Sequence, residues 1–247
     1  MTQFFSGDYN GEPFELFGIP HLVALTIILV INLGLIAAGR RLSERRRAAI
    51  RYTLAAVLLI DEALWHGWNW SIGEWSVRTM LPLHLCSVLV FLSALMLIRK
   101  SYAIFEFAYL LGIAGALQAL LTPDAGPYGF PHFRFFQVMI SHGSIITAAI
   151  YMAAVEGYRP TVGSIKRVLV RGNAYALGVG LVNALIGSNY LYIARKPETA
   201  SLMDVLPPWP WYLPILELLA LLMIGLLYLP YAVRDLRSKR PAQRSTP

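Results

Sequence analysis

Seven runs of about 20 mainly apolar residues follow one another along this 247-residue chain, and they limit its fold more than any other feature. The runs are Ile19–Ala38, Ile50–Trp70, Leu81–Ile98, Tyr102–Thr122, Phe133–Val155, Val168–Tyr192 and Trp211–Val233. Each is long enough to cross a hydrocarbon core of roughly 30 Å as a helix. In lipid every backbone N–H and C=O must be bonded within the protein, so helices are the structure that fits such lengths. The expected fold is all-α: a polytopic integral membrane protein of seven transmembrane helices, forming one domain over residues 1–247 with a basic tail at 234–247. Only 14% of residues are charged, against about 25% in soluble domains.

Local signals bound the runs. Gly39-Arg40-Arg41 follows the first, Pro123-Asp124-Ala125-Gly126-Pro127 breaks the chain after the fourth, and Pro207-Pro208-Trp209-Pro210 precedes the seventh. Trp65, Trp68, Trp70, Trp75, Tyr190, Tyr192, Trp209, Trp211 and Tyr212 gather near run ends, as amphipathic rings do at headgroup level.

The basic residues predict an orientation. Arg40 to Arg51 follow the first run, Arg99 and Lys100 the third, Arg159 to Arg171 the fifth, and Arg234 to Arg244 the seventh. The opposite side has Arg78, Arg134, Arg195 and Lys196, and the N-terminal segment is acidic through Asp8, Glu12 and Glu15. The positive-inside rule then gives N-terminus out and C-terminus in, which requires an odd number of spans. A signal peptide carries its basic residues before the apolar stretch, so the first run is expected to be retained.

The net charge of +7 lies in short clusters between apolar runs and not along one face, which argues against nucleic-acid binding. The single cysteine, Cys86, excludes an intramolecular disulfide. No Cys/His spacing matches a zinc site, so neither metal nor cofactor is expected.

Ionisable groups at membrane depth are costly and normally face a bundle interior. The predicted orientation puts Asp61 and Glu62 near mid-depth with His66 higher, and places His84, Cys86, Gln118, His142, Asn183, Asn189 and Glu217 in the outer half. That pattern predicts a polar cavity open toward the outer leaflet. Glu62 and His66 are spaced i, i+4 and are expected to pair. Bland readings stand beside these. Asn173, Asn183 and Gln118 fit interhelical hydrogen bonding, and a lone Cys86 fits a small buried apolar residue. Glu106 is expected to snorkel or to pair with Lys100, and His21 and His132 to lie at the interfaces. Adjacent Asp61 and Glu62 need protonation or partners, for which His66 and His84 are candidates.

Four elements occur in order: Leu81-Pro82-Leu83-His84-Leu85-Cys86, Gln118-Ala119-Leu120-Leu121-Thr122-Pro123-Asp124, Phe130-Pro131-His132-Phe133 leading to Ser141-His142-Gly143, and Asn183-Ala184-Leu185-Ile186-Gly187-Ser188-Asn189-Tyr190. Together they resemble the YwaF-like family of bacterial integral membrane proteins, from about the first run to Tyr212. That family is distantly similar to a eukaryotic transmembrane acyltransferase acting on phospholipids. The resemblance implies a cytoplasmic-membrane protein that uses Cys86 as nucleophile with His142 as its partner, and has phospholipid acyl chains as substrate.

A thiolate made available by imidazole would attack a lipid ester and form a thioester, with Asn183, Asn189 or Gln118 as oxyanion donors and His84, Glu62, His66 and Glu217 in support. The competing expectation is a transporter or small-ligand binder with Asp61, Glu62, His66 and Glu217 as a proton or cation relay. The odd helix count and missing inverted repeat weigh against it. A third is a scaffold whose polar groups only hold the bundle together.

Overall fold

The computed structural model describes residues 3–197 and 202–238. Lys239, Arg240 and Arg244 of the basic tail lie outside the described residues. Among the described residues all regular structure is helical. The helices are α1 (Ile19–Ala38), α2 (Glu44–Ser71), α3 (Leu85–Arg99), α4 (Tyr102–Phe107), α5 (Ile113–Leu121), α6 (Phe133–Ala154), α7 (Val162–Ile186) and α8 (Tyr212–Ser238). A π-helical turn at Ala108–Gly112 joins α4 to α5 as one rod.

Among the described residues five rods are long and apolar enough to cross a membrane: α1, α4–α5, α6, α7 and α8. The other two depart from that standard for different reasons. α2 is 28 residues long but carries Asp61, Glu62, His66 and Asn69 among its apolar residues. α3 has 15 residues, about 22 Å of helix.

Several expected boundaries move: α2 begins at Glu44, ahead of the expected Ile50, α8 runs past Val233 to Ser238, and two other runs shift for local reasons. The third run was expected from Leu81, but Leu81–His84 forms a turn, with the Leu83 amide on the Leu81 carbonyl, so α3 starts at Leu85 with His84 as N-cap. The sixth was expected over Val168–Tyr192, but α7 starts and ends earlier. A capping box between Thr161 and Ser164 opens it, and Gly187, at φ +69°, closes it. Asn189 therefore lies outside the helix.

α6 is the central rod, buried along most of its length and packed against α1, α2, α3 and α5. α1 and α7 are peripheral. α1 buries only His21 and Asn32, and α7 only Ser164, Val168, Val179 and Asn183. His21, in the first turn of α1, is buried against its neighbours, taking the Phe17 amide at Nδ1 (3.0 Å) and meeting the Leu120 carbonyl with Nε2 (2.8 Å). Asn32 reaches Thr147 Oγ1 of α6 at 3.1 Å.

One end of the bundle is aromatic. The segment before α1 lies over the starts of α6 and the end of α2, where Phe133 N donates to the Phe4 carbonyl, Trp68 Nε1 to Phe5 O and Tyr128 OH to Gly7 O. Gly129 permits this approach, since a Cβ there would sit 2.3 Å from the Glu12 carbonyl oxygen. His132, at the N-cap of α6, is also buried. It caps α6 by accepting the Arg134 amide and stacks on Tyr128 at 4.4 Å.

The opposite end is ionic. Glu106 pairs with Arg167 and Arg171 and not with Lys100. Lys100 instead pairs with Glu156 at 2.9 Å and Glu44 at 3.6 Å. Arg51 Nη1 donates to the carbonyls of Leu97 and Ile98 and so closes the C-terminus of α3.

Burial pushes the Glu156 carboxyl up, but hydrogen bonds from Lys100 and Tyr151 outweigh it and hold the group below its ordinary value. A depressed carboxyl stabilises the fold above its unfolded pKa, and the gain is lost as pH falls through the folded value. The unfolding midpoint of the purified protein should therefore fall as pH drops below about 4.5. Glu156→Gln should lower the midpoint at neutral pH and flatten that acid limb, as measured by thermal unfolding in detergent.

Candidate functional site

Two glycines of the α4–α5 rod set the depth of the site. A Cβ on Gly112 would lie 3.2 Å from Leu89 Cδ2 of α3 and 3.7 Å from Ile145 Cγ2 of α6, so these three residues share a level. Three residues along each helix toward the aromatic end, about 4.5 Å, stand Cys86, Gly115 and His142. A spacing of three keeps residues on neighbouring parts of one helix face. Cys86 Sγ is 4.0 Å from where a Cβ on Gly115 would be. Cys86 and His142 thus come to one depth, on two helices that both pack against α5.

Cys86 is half-buried, lies in the first turn of α3 and makes no hydrogen bond among the described residues. His142 Nδ1 is 2.8 Å from the Val138 carbonyl. A carbonyl only accepts, so Nδ1 carries the proton and, in the neutral ring, Nε2 is a free acceptor.

A second polar group lies between α2 and α6. Trp75 Nε1 donates to His66 Nδ1 at 2.9 Å, and an indole only donates. The proton of neutral His66 is therefore on Nε2, which faces Glu62 Oε1 at 3.4 Å. Gln137 Nε2 donates to Asp61 Oδ2 at 3.3 Å, while Gln137 Oε1 accepts from Arg134. Arg134 also donates to the Asp124 carbonyl at 2.9 Å and lies 4.0 Å over the Trp65 ring. Its charge is within Coulomb reach of Asp61, Glu62 and His142. The two buried carboxyl groups therefore have partners in Gln137, His66 and one guanidinium.

His84 accepts the Leu191 amide at 3.4 Å and lies against the rings of Tyr190 and Tyr192. It does not contact the acidic pair. Asn183 makes three hydrogen bonds: one Nδ2 N–H donates to Tyr190 O, and Oδ1 accepts from Ser188 Oγ and Tyr190 N. Asn189 holds its own loop through Ala194 and Arg195. Gln118 is exposed and donates to Thr122 Oγ1 at 3.2 Å. Glu217 is also exposed, accepts from Asn173 at 3.0 Å, and borders a separate cavity of about 150 Å³ with Leu85, Tyr175 and Leu191.

Sequence reasoning assigned Arg134 only to the sparse basic residues of one side. A lone arginine opening an apolar helix, with Gln137 one turn on, breaks the charge asymmetry, and that exception was the available signal.

Asn183→Ala removes three side-chain hydrogen bonds and leaves buried partners unpaired, so it should destabilise the protein by about 2–4 kcal/mol. Gln118→Ala should leave the unfolding midpoint unchanged. Thermal unfolding of both variants in detergent checks this.

No curated protein and no solved structure matches the chain. The model of the TMEM164 family matches residues 16–228. The chain is a membrane protein that belongs to the TMEM164 family.

Proposed function

We propose that the chain crosses the cytoplasmic membrane seven times, N-terminus outside and C-terminus inside, and that it transfers or hydrolyses phospholipid acyl chains through a thioester on Cys86. What supports this reading is the common depth of Cys86 and His142 on two helices that pack against each other and against α5, with the thiol unengaged and the imidazole oriented by Val138. The resemblance of Leu83-His84-Leu85-Cys86 and His142 to an acyltransferase pattern supports it.

In the first half-reaction His142 Nε2 takes the thiol proton and sulfur attacks the ester carbonyl carbon. The C–S bond forms, the C–O bond breaks, and the departing lysophospholipid oxygen receives the proton from His142. In the second, water or an acceptor lipid hydroxyl gives its proton to His142 and attacks the thioester. The C–S bond breaks and the thiol is restored. Asn183 and Asn189 are turned onto the Tyr190 and Arg195 carbonyls, so each offers at most one amide N–H as an oxyanion donor. The first turn of α3 has no side-chain cap, which leaves its leading N–H groups for that role.

The relay through Asp61, Glu62, His66 and Glu217 has less support. Glu217 is tied to Asn173, and no hydrogen bond among the described residues links it to the α2 groups.

Purified protein incubated with phosphatidylcholine bearing an alkyne-tagged acyl chain should acquire a tag that neutral hydroxylamine removes. Cys86→Ala should abolish the tag, and His142→Ala should slow its appearance by about 10²–10⁴-fold. Undiminished hydroxylamine-sensitive tagging in Cys86→Ala would refute the thioester mechanism.

A further inference from the structure

At the ionic end, outside the Cys86–His142 level, a trough of about 270 Å³ opens on the outer surface between α3, α4 and α7. Its walls are Leu92, Ala103, Ile104, Phe107 and Tyr175, and Arg171 is its one charged residue. Ala103 and Phe107 are one turn apart on α4, as are Arg171 and Tyr175 on α7, so the trough runs parallel to the helices. An acyl chain in a bilayer has the same direction.

The charges beside it do not balance. Glu106 accepts from Ser164 Oγ at 2.6 Å and takes Arg167 on both oxygens. Arg171 reaches the same carboxylate only at 3.5 Å, its other bond going to the Ala103 carbonyl at 3.2 Å. Two guanidinium groups thus share one carboxylate, which leaves one positive charge uncompensated. The Arg171 side chain is 45% exposed, and its remaining N–H groups have no partner among the described residues. Lys166 on the same end adds positive charge, whereas Arg159 is paired with Asp235.

We infer that this trough binds one acidic glycerophospholipid, its phosphate on Arg171 and one acyl chain between Ile104, Phe107 and Tyr175. A soluble anion would leave the apolar walls uncovered. A zwitterionic headgroup would bring a second positive charge to an end that already has an excess. The site is independent of the thioester reading.

The test uses the full-length protein in phosphatidylcholine nanodiscs with a minority of phosphatidylglycerol. Native mass spectrometry then measures which lipid leaves the disc with the protein. Wild type should retain phosphatidylglycerol in preference to phosphatidylcholine. Arg171→Gln should reduce that retention about fivefold, Arg171→Lys should keep most of it, and Ile104→Trp, which fills the trough and leaves every charge in place, should reduce it as Arg171→Gln does. Lys166→Gln should retain lipid as wild type does. Equal retention of both lipids by wild type, or unchanged retention in Arg171→Gln and Ile104→Trp, overturns the site. Displacement of the lipid by inorganic phosphate alone overturns it in favour of a soluble-anion site.

Discussion

Leu89 of α3 and Ile145 of α6 close on Gly112, a position with no side chain, and this contact sets the depth of everything above it. In lipid the hydrophobic effect does little to bring helices together, so close van der Waals approach has to do it, and small residues permit that approach. A Cβ at Gly112 would press on Leu89 at 3.2 Å and force the two helices outward. One turn further, Gly115 repeats the arrangement against Leu85 and Cys86. The π-helical turn at Ala108–Gly112 lies immediately before these residues. Such turns occur mostly as local bulges and often at functional sites.

Around this contact the polar residues divide by what they are bonded to. Asp61, Glu62, His66, Gln137 and Arg134 form two linked pairs and a cation that serve each other, and their cost of burial is offset by those bonds. Cys86 and His142 Nε2 have no such partners among the described residues. Asn32 Oδ1, Arg51 Nε and Ser93 Oγ are also buried without a partner, but none of them is a nucleophile or a base at neutral pH, so the thiol and the imidazole are the pair suited to chemistry. Membership of the TMEM164 family is consistent with a membrane setting and leaves that chemistry to be tested.

The sequence was most informative where length and apolarity decide structure. α1 and the start of α6 fall where the apolar runs place them, because nothing local competes with burial in lipid. Hydropathy failed where local chemistry is stronger: the turn at Leu81–His84 delays α3, and the Thr161–Ser164 box with Gly187 shifts α7 toward the N-terminus. The candidate pair was legible by resemblance, and its common depth required the packing at Gly112. The outer-half cluster was only partly legible. Residue type put Asn183 and Glu217 in it, whereas their hydrogen bonds place one in a loop anchor and the other beside Asn173. Arg134 escaped because a charge count treats each basic residue as an orientation signal and ignores where its guanidinium turns.

The most direct measurement uses the fact that Cys86 is the sole cysteine. In His142→Cys the chain carries two thiols, and a short bis-methanethiosulfonate linker reports whether they face one another. The account predicts one linker per chain, attached to both Cys86 and position 142, with neither site then open to maleimide. Gln118→Cys, which starts from an exposed position, should take two separate linkers. If His142→Cys also takes two separate linkers, Cys86 and His142 do not share a site, and the central claim fails.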